Sequence, residues 1–353
     1  MALPTRLTET LGIEHPVMLA GMGGVSYHRL TAAVSAAGGF GCLGASVMSN
    51  DQMVEEIRRV REATDLPFGV DLLTAMPGDL VGQVELLVEG GASVFVAGLG
   101  VPAPAIELCH RHGVLVANMC GKVAHARKAV AAGCDLVIAQ GTEAGGHTGQ
   151  VATMTLVPLI VDAVAGAVPV VAAGGIFDGR GLAAALALGA DGVWLGTRFI
   201  ATPEAQGVRG YKEALVAAAE DGTVISRAYS GKTMRVLRNR FTDDWDSKPG
   251  ELEPFPLQAV RSIRDGAFHL GGDESTEGVD PDIECYPAGQ GVGGIDALRP
   301  AGDIVRSIVE EAVDVLRGPA DREFRRAQPR GDLPLGRSST AGPPSGADHR
   351  ESR

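Results

Sequence analysis

The chain has 353 residues, of which 45% are hydrophobic and 4% aromatic, and its formal net charge is −12. This length is enough to bury one large core, and the acidic balance argues against nucleic acid or an anionic membrane as a partner. No apolar signal region follows Met1, and no apolar run reaches the roughly 18 residues that a membrane span needs, so we expect a cytoplasmic protein.

A helix rich in Ala, Leu and Val, a glycine stop and a short apolar run recur along the first two hundred residues. The apolar runs lack period-two alternation, which indicates strands that are buried on both faces and therefore parallel strands joined by helices. Eight such strands are predicted, near residues 17–19, 40–43, 68–72, 94–97, 115–117, 136–139, 168–172 and 193–195.

Eight consecutive strand–helix units favour a closed (β/α)₈ TIM barrel, an α/β fold, over an open doubly wound sheet. We assign residues 1–200 to this barrel. Residues 201–317 are predicted to form a helical and irregular insertion or lid that completes the same unit, with helices near 204–220 and 303–316. Residues 318–353 should be disordered, because they contain too few large apolar residues to offset the entropy of ordering them.

The five cysteines are odd in number, scattered and without CxxC spacing, so they predict neither a disulfide framework nor a zinc site. They are Cys42, Cys109, Cys120, Cys134 and Cys285. We expect at least four of them to be small buried side chains. Cys120, close to the end of a predicted strand, is left open, and no metal site is predicted.

Active sites of such barrels are built from the loops that follow the strands. After the first strand, the segment Ala20-Gly21-Met22-Gly23 lacks two side chains and would let the backbone approach a flat ring, although a plain turn explains it equally well. Asp71 closes the third apolar run and could also cap the next segment.

Polar residues follow the fifth and sixth strands. Lys122 could stabilise a developing negative charge, or it could be a solvated surface amine. After the sixth strand, Gln140, Gly145 and Gly146 precede His147. An imidazole titrates near neutral pH and can act as a general acid or base; a structural histidine is the alternative.

Glycines at two further strand ends point to an anion. Gly174 and Gly175 follow the seventh strand, and Gly196 and Thr197 follow the eighth. Both loops are predicted to open helices, whose N–H groups would form a phosphate site of the kind found in many barrels. Residues 289–294 match G-x-G-x-x-G, but they neither follow a strand nor open a βαβ unit, so we reject a dinucleotide-binding motif there.

With these motifs the chain resembles the nitronate monooxygenase (2-nitropropane dioxygenase) family, which is related to flavin-dependent enoyl-acyl-carrier-protein reductases. The resemblance covers residues 16–316. It is carried by Gly21-Met22-Gly23, Phe68-Gly69-Val70-Asp71, residues 140–149, Ala173-Gly174-Gly175-Ile176, Gly196-Thr197-Arg198-Phe199 and Ala288-Gly289-Gln290-Gly291. Its most specific element is Glu143-Ala144-Gly145-Gly146-His147.

The resemblance implies non-covalent FMN, with its phosphate held at the seventh and eighth strand ends and His147 as the catalytic acid–base. The implied cofactor contacts are Ala20, Gly21, Met22, Gly23, Asp71, Lys122, Gln140, Gly145, Gly146, Gly174, Gly175, Gly196 and Thr197. The family often has Asn where this chain has Asp71. An ionised Asp can accept a hydrogen bond from the flavin N3–H but cannot donate one.

Two reactions fit the same residues. The favoured reaction is oxidation of nitroalkanes or alkyl nitronates with O₂, in which the substrate is a small molecule. The alternative is reduction of enoyl thioesters (acyl-CoA or acyl-carrier protein) or quinones, with NADH or NADPH as electron donor; a non-catalytic flavin-binding barrel is a second alternative. The basic stretch 232–240 could contact a phosphate of a nucleotide or of CoA, or it could be a solvated helix face. Whether the chain forms a homo-oligomer is left open.

Overall fold

The computed structural model describes residues 3–74, 78–98, 100 and 102–318. In chain order its strands are β1 (Val17–Leu19), β2 (Gly41–Gly44), β3 (Phe68–Leu73), β4 (Val94–Gly98), β5 (Leu115–Cys120), β6 (Leu136–Gln140), β7 (Gly146–His147), β8 (Val170–Ala173), β9 (Gly192–Leu195), β10 (Thr223–Ser226) and β11 (Met234–Leu237). The α-helices are α1 (Arg6–Leu11), α2 (His28–Ala36), α3 (Asn50–Ala63), α4 (Leu80–Glu89), α5 (Ala103–Arg111), α6 (Val123–Ala131), α7 (Thr153–Val164), α8 (Gly179–Ala187), α9 (Thr197–Ile200), α10 (Tyr211–Ala217), α11 (Arg240–Asp246), α12 (Leu257–Arg264) and α13 (Ala301–Leu316). Short 3₁₀ turns cover Pro249–Glu251 and Gln290–Gly294.

Eight parallel strands form a barrel. Their order around the sheet is β1-β9-β8-β6-β5-β4-β3-β2, and a parallel bridge between Met18 and Phe40 joins its two ends. The Leu19 N–H donates to Phe40 O at 2.8 Å, and the Phe40 N–H donates to Val17 O at 2.9 Å. The predicted TIM barrel is therefore confirmed, and each predicted strand overlaps an observed one.

Side chains alternate between the barrel interior and the layer between strands and helices. In β3, Phe68, Val70 and Leu72 belong to the outer core that packs against the helices. Asp71 lies between two of these positions and therefore faces the interior. By the same alternation in β6, Gln140 shares the inward face with Ile138, which belongs to the inner cluster.

Helix α1 closes the end of the barrel opposite the strand-end loops. Thr5 caps it with a capping box, in which its hydroxyl accepts from the Thr8 N–H and the Thr8 hydroxyl accepts from the Thr5 N–H. Leu7 and Leu11 of α1 join the inner cluster. This end of the barrel is filled by side chains, so the interior is open only at the carboxyl ends of the strands.

The segment after α9 contains a sheet that the sequence analysis did not predict. Strands β10, β11 and β7 form a three-stranded antiparallel sheet, with Met234 paired to His147 and Arg235 to Gly146. The helix predicted near 204–220 is shorter and spans only α10. Since β7 lies in the loop after β6, this sheet attaches the later segment directly to the predicted catalytic loop.

Helix α13 closes the chain against α2 and α8, as the predicted final helix should. Among the described residues, no helix is long and apolar enough to cross a membrane. The same residues contain no group of three or more His, Cys, Asp or Glu side chains arranged to hold a metal ion. The predicted disordered tail lies almost entirely outside the described residues, which end at Gly318.

Candidate active site

A cavity of about 370 Å³, which we name the barrel cavity, opens at the carboxyl ends of the strands. All but one of the predicted site residues line it. They are Ala20, Gly21, Met22, Gly23, Asp71, Gln140, Gly145, Gly146, His147, Gly174, Gly175, Gly196 and Thr197. Residues that are far apart in the sequence thus meet in one place.

Lys122 is the exception. It precedes the first turn of α6 as the N-cap residue, is exposed, and lines a second cavity of about 610 Å³, which we name the α6 cavity. The two cavities share the lining residues Leu73, Gly98, Met119, Gln140 and His147. His147 therefore lies where the two cavities meet.

The loops after β8 and β9 present backbone N–H groups to the barrel cavity. Gly174 and Gly175 have φ angles of 105° and 73°, a region that favours glycine. Within the described part of the chain, the N–H groups of Gly174, Gly175, Gly196 and Thr197 donate to no protein acceptor. Such uncommitted donors suit a phosphate group, so this part of the cavity fits the phosphate of FMN.

The helix start predicted after the seventh strand is wrong. Helix α8 begins at Gly179, and the Asp178 carboxylate already caps it by accepting from the Gly181 N–H. The Gly179 N–H donates to Glu311 at 2.8 Å. Two carboxylates occupy this helix terminus, so an anion in the barrel cavity would depend on the loop N–H groups instead.

Glu143 and Thr153 connect the loops on either side of the barrel cavity. Glu143 Oε2 accepts from the Thr153 N–H and lies within hydrogen-bonding distance of the Thr153 hydroxyl, both at 2.8 Å. The Thr153 hydroxyl also lies 3.0 Å from Gly174 O. This contact ties the loop after β6 to the glycine loop after β8. Sequence reasoning placed Glu143 in the motif but did not find Thr153.

His147 is held through its backbone and through its ring. Its backbone oxygen accepts from Gln140 Nε2 at 3.1 Å, and its ring Nε2 lies 3.0 Å from the Ser230 hydroxyl. Its ring Nδ1 has no hydrogen-bond partner in the described ranges. Burial, followed by the positive charge of Lys232, lowers the pKa of His147. The imidazole is therefore neutral near pH 7 and able to accept a proton.

Asp71 is buried in the interior of the barrel, and burial raises its pKa to about 8. Its carboxyl group is mostly protonated near pH 7, so it can donate a hydrogen bond as an Asn at this position would. Gly21 lies directly against it: a Cβ at Gly21 would be 2.1 Å from the Asp71 Cβ. Position 21 therefore has no room for a side chain.

All five cysteines are buried, as expected for at least four of them. Cys120, which the sequence left open, has its Sγ 3.5 Å from Asn118 Oδ1. Burial raises the pKa of its thiol to about 12. A protonated, buried thiol is a poor nucleophile, so we assign Cys120 no role in the chemistry.

Several residues of the later segment line the barrel cavity without having been predicted. Met234, His269 and Glu284 are among them. The buried Glu284 accepts from the His269 N–H at 3.0 Å and lies 2.6 Å from its ring Nδ1. Irregular segments have no periodic signal that would reveal these contacts from sequence.

The basic stretch 232–240 is not a helix face. Strand β11 occupies its centre, and Arg235 is buried there. Arg235 donates to Thr142 O at 3.0 Å and to the Thr223 hydroxyl at 3.1 Å. It therefore holds the loop after β6 in place, and Lys232 is the basic residue of this stretch that lines the α6 cavity.

A sequence model of the nitronate monooxygenase family matches residues 4–80 and 73–311. The chain is 38% identical to the (3aS,4S,5R,7aS)-5-hydroxy-7a-methyl-1-oxo-octahydro-1H-indene-4-carboxyl-CoA dehydrogenase of Mycobacterium tuberculosis, over 90% of this chain and 98% of that protein. Its fold is similar to FabK from Thermotoga maritima, with a TM-score of 0.80 and 36% identity over 91% of this chain and 99% of FabK.

Nitroalkane oxidase from Streptomyces ansochromogenes is similar as well, with a TM-score of 0.77 and 32% identity over 88% of this chain and all of that chain. These matches extend across the barrel and the later segment. They agree with a cavity that joins uncommitted backbone N–H groups to a neutral histidine. The chain therefore belongs to the nitronate monooxygenase family of FMN-dependent oxidoreductases.

Proposed function

We propose that this protein oxidises nitroalkanes or alkyl nitronates with O₂, with FMN in the barrel cavity and His147 as the general base. The observation that carries the proposal is the position of His147. Its imidazole is neutral, is supported at Nε2 by Ser230 and lines the same cavity as the glycine loops after β8 and β9. FMN, when bound, supplies the ring that accepts electrons from the substrate.

The backbone would hold the cofactor and keep its ring in one place. The uncommitted N–H groups of Gly174, Gly175, Gly196 and Thr197 would bind the phosphate. Gly21 and Asp71, which pack against each other, would lie beside the flat ring. A protonated Asp71 would donate a hydrogen bond to an acceptor at the edge of that ring. These groups are rigid parts of the barrel, so binding would need little reorganisation.

His147 would handle the proton. A nitro group makes the neighbouring C–H acidic, and the neutral imidazole takes that proton, so that the substrate becomes a nitronate and His147 becomes an imidazolium. Ser230 holds the ring at Nε2 and leaves Nδ1 as the nitrogen without a protein partner. A substrate supplied as the nitronate needs no such proton transfer.

The second candidate is a flavin oxidoreductase that uses NADH or NADPH and acts on a thioester. One observation favours it: Lys122, Lys128 and Lys232 line a cavity that meets the barrel cavity at His147. Amines suit the phosphates of a nucleotide or of CoA. The relative named as a carboxyl-CoA dehydrogenase points in the same direction.

Anaerobic mixing distinguishes the two candidates. Purified protein is mixed separately with an alkyl nitronate, NADH and NADPH, and flavin absorbance is followed. Bleaching by the nitronate supports the proposed oxidase chemistry; bleaching only by a nicotinamide supports the second candidate. Bleaching by none of them argues against both. Chromatography of the flavin released on denaturation checks the cofactor, because FAD in place of FMN would contradict the single phosphate site.

A further inference from the structure

The basic residues of helix α6 and its N-cap have no acidic partners among the described residues, in contrast to those of α3. On α3, Arg58 and Arg59 both contact Glu55. On α6 and its N-cap, Lys122, Arg127 and Lys128 take part in no ion pair with any described residue. Exposed basic residues on a helix are commonly balanced by acidic residues three or four positions away. The sequence of α6 contains no Asp or Glu.

The unbalanced charge faces a cavity. Lys122, His125 and Lys128 line the α6 cavity together with Lys232 from the β10–β11 connection. None of its described lining residues is an Asp or a Glu. The chain as a whole carries 43 acidic and 31 basic residues. A cavity whose described charged lining residues are all basic, in a protein of net charge −12, is therefore an attractive site for an anion.

The α6 cavity is also long. Its lining follows one side of α6 from Lys122 to Ala132, which is about 15 Å at the rise of 1.5 Å per residue. Between the amines, the wall of the cavity is formed by apolar side chains that are small or flexible. These are Leu73, Met119, Ala129, Ala132 and Cys134. Such a wall accommodates a slender chain, whereas the amines bind charges attached to it.

We propose that the α6 cavity binds the phosphorylated arm of an elongated cosubstrate, whose reactive end reaches His147 in the barrel cavity. The shared chemistry is a pyrophosphate on a slender organic chain. A CoA thioester and a nicotinamide dinucleotide both have it. The proposal depends on the proposed function only in placing the reacting centre beside His147; the binding site itself is independent of nitronate oxidation.

Lys232 lies close to His147, where the two cavities meet. Its Nζ lies 4.0 Å from the centre of the Phe255 ring, and the Phe255 ring contacts the His147 ring edge-on, with centres 6.3 Å apart. Lys232 and His147 both line the α6 cavity. An anionic group bound at Lys232 would therefore hold the rest of its chain within reach of the imidazole.

Adjacent residues on α6 provide a matched test. Lys128 lines the α6 cavity, whereas Arg127 is exposed on the same helix and does not line it. Lys128→Glu and Arg127→Glu make the same change of charge one residue apart. Binding of CoA and of NADPH to the FMN-loaded protein is measured by calorimetry, with inorganic pyrophosphate as competitor.

We expect one of the two ligands to bind and pyrophosphate to displace it. Lys128→Glu should raise its Kd about tenfold or more, since charge-assisted contacts contribute about 1.5–3 kcal/mol, and Arg127→Glu should change it less than about twofold. CoA binding assigns a thioester arm, and NADPH binding assigns a nicotinamide. No binding of either, or equal effects of the two variants, would overturn the proposal. Nitronate turnover is measured on the same samples, so a failure of the proposed function is seen separately.

Discussion

The barrel cavity and the α6 cavity share His147 but offer a ligand different chemical groups. The barrel cavity offers backbone N–H groups on glycine loops, a protonated Asp71 and no unpaired amine among its described lining residues. The α6 cavity offers the exposed Lys122 and Lys128 of α6 and its N-cap, and the half-buried Lys232 of the β10–β11 connection. Rigid backbone donors lose little entropy on binding, whereas each lysine must give up about 2 kcal/mol of rotamer freedom.

The difference suggests a division of roles. A preorganised cradle suits a group that stays bound through many turnovers. Flexible amines at a partly open cavity suit a ligand that enters and leaves. Their electrostatic attraction for an anion acts over a distance and is weakened by salt. His147, which lines both cavities, could then serve a resident cofactor and an exchanging substrate. The variants below test whether the two cavities respond independently.

The largest effect should come from His147→Ala. Turnover of a neutral nitroalkane should fall by roughly 10²–10⁴-fold, the usual scale for losing a general base. Bound FMN should remain, because the phosphate-binding N–H groups are on other loops. The loss should be smaller with a pre-formed nitronate, which needs no deprotonation. Steady-state rates and the flavin-to-protein ratio are the measurements.

Ser230→Ala is the control for that variant, because it removes the hydrogen-bond partner of Nε2 and leaves the imidazole in place. Its effect on turnover should be well below that of His147→Ala. If His147→Ala turned over both substrates at the wild-type rate, the imidazole would be structural and the assignment of the general base wrong.

Gly174→Ala should act on the barrel cavity alone. Its φ is 105°, and a Cβ there would be 2.8 Å from Thr153 Oγ1 and 3.0 Å from Gly141 O. The loop must shift, so we expect loss of bound flavin and a destabilisation of about 1–3 kcal/mol. Gly113→Ala is the control, since its φ is also positive, at 71°, but a Cβ there meets open space.

Flavin content after desalting and the melting temperature distinguish the two glycine variants. Gly113→Ala should lower the melting temperature and keep its flavin. Equal flavin content in Gly174→Ala and the wild type would show that the loop after β8 does not hold the phosphate. Binding in the α6 cavity should be the same in both variants if the two cavities are independent.

Asp71→Asn should change the pH dependence of stability in the flavin-free protein. Burial raises the pKa of Asp71 from 3.8 to about 8, so between these values the folded state binds a proton that the unfolded state has lost. The free energy of unfolding then falls as pH rises from about 4 to about 8. The neutral amide removes this contribution.

Melting temperatures from pH 5 to 8 measure the effect of Asp71→Asn. The wild type should lose stability across this range, and the variant should lose less. Asp51→Asn, which changes an exposed carboxylate in the first turn of α3, serves as the control. Parallel curves for the wild type and Asp71→Asn would mean that Asp71 is ionised in the folded protein.

Much of the barrel cavity could be predicted from sequence because barrel strands are apolar runs and their loops follow at once. This logic made Gly21, Asp71 and His147 candidates, and the family resemblance assigned them to the flavin site; all three line the barrel cavity. Lys122 shows the limit of this reasoning, because the position of a residue after a strand does not give the direction of its side chain. Lys122 is the N-cap residue of α6 and lines the α6 cavity.

Contacts between distant segments could not be predicted from one sequence. Ser230 is 83 residues from His147, and no periodicity links them. Strand β11 did leave a local signal, since Met234 and Val236 alternate with Arg235 along the chain and belong to one cluster. The high density of Lys and Arg in residues 232–240 obscured this alternation and favoured the helix interpretation.

The smallest effect should come from Lys232→Gln, which tests whether the cavities communicate. Of the groups around His147, Ser230, Gln140 and Phe255 are uncharged, and Lys232 is the charged neighbour that lowers its pKa, after burial. Removing the charge should raise the pKa of His147. Because the base must be neutral to act, the acid limb of the kcat/KM profile for a nitroalkane should move to higher pH. Lys232→Arg keeps the charge and should keep the wild-type profile.

An anion bound beside Lys232 would offset the same charge. A ligand in the α6 cavity should therefore move the acid limb of the wild-type profile to higher pH and leave the acid limb of Lys232→Gln unchanged. A profile identical in all three proteins, with and without ligand, would show that the two cavities adjoin at His147 without electrostatic coupling.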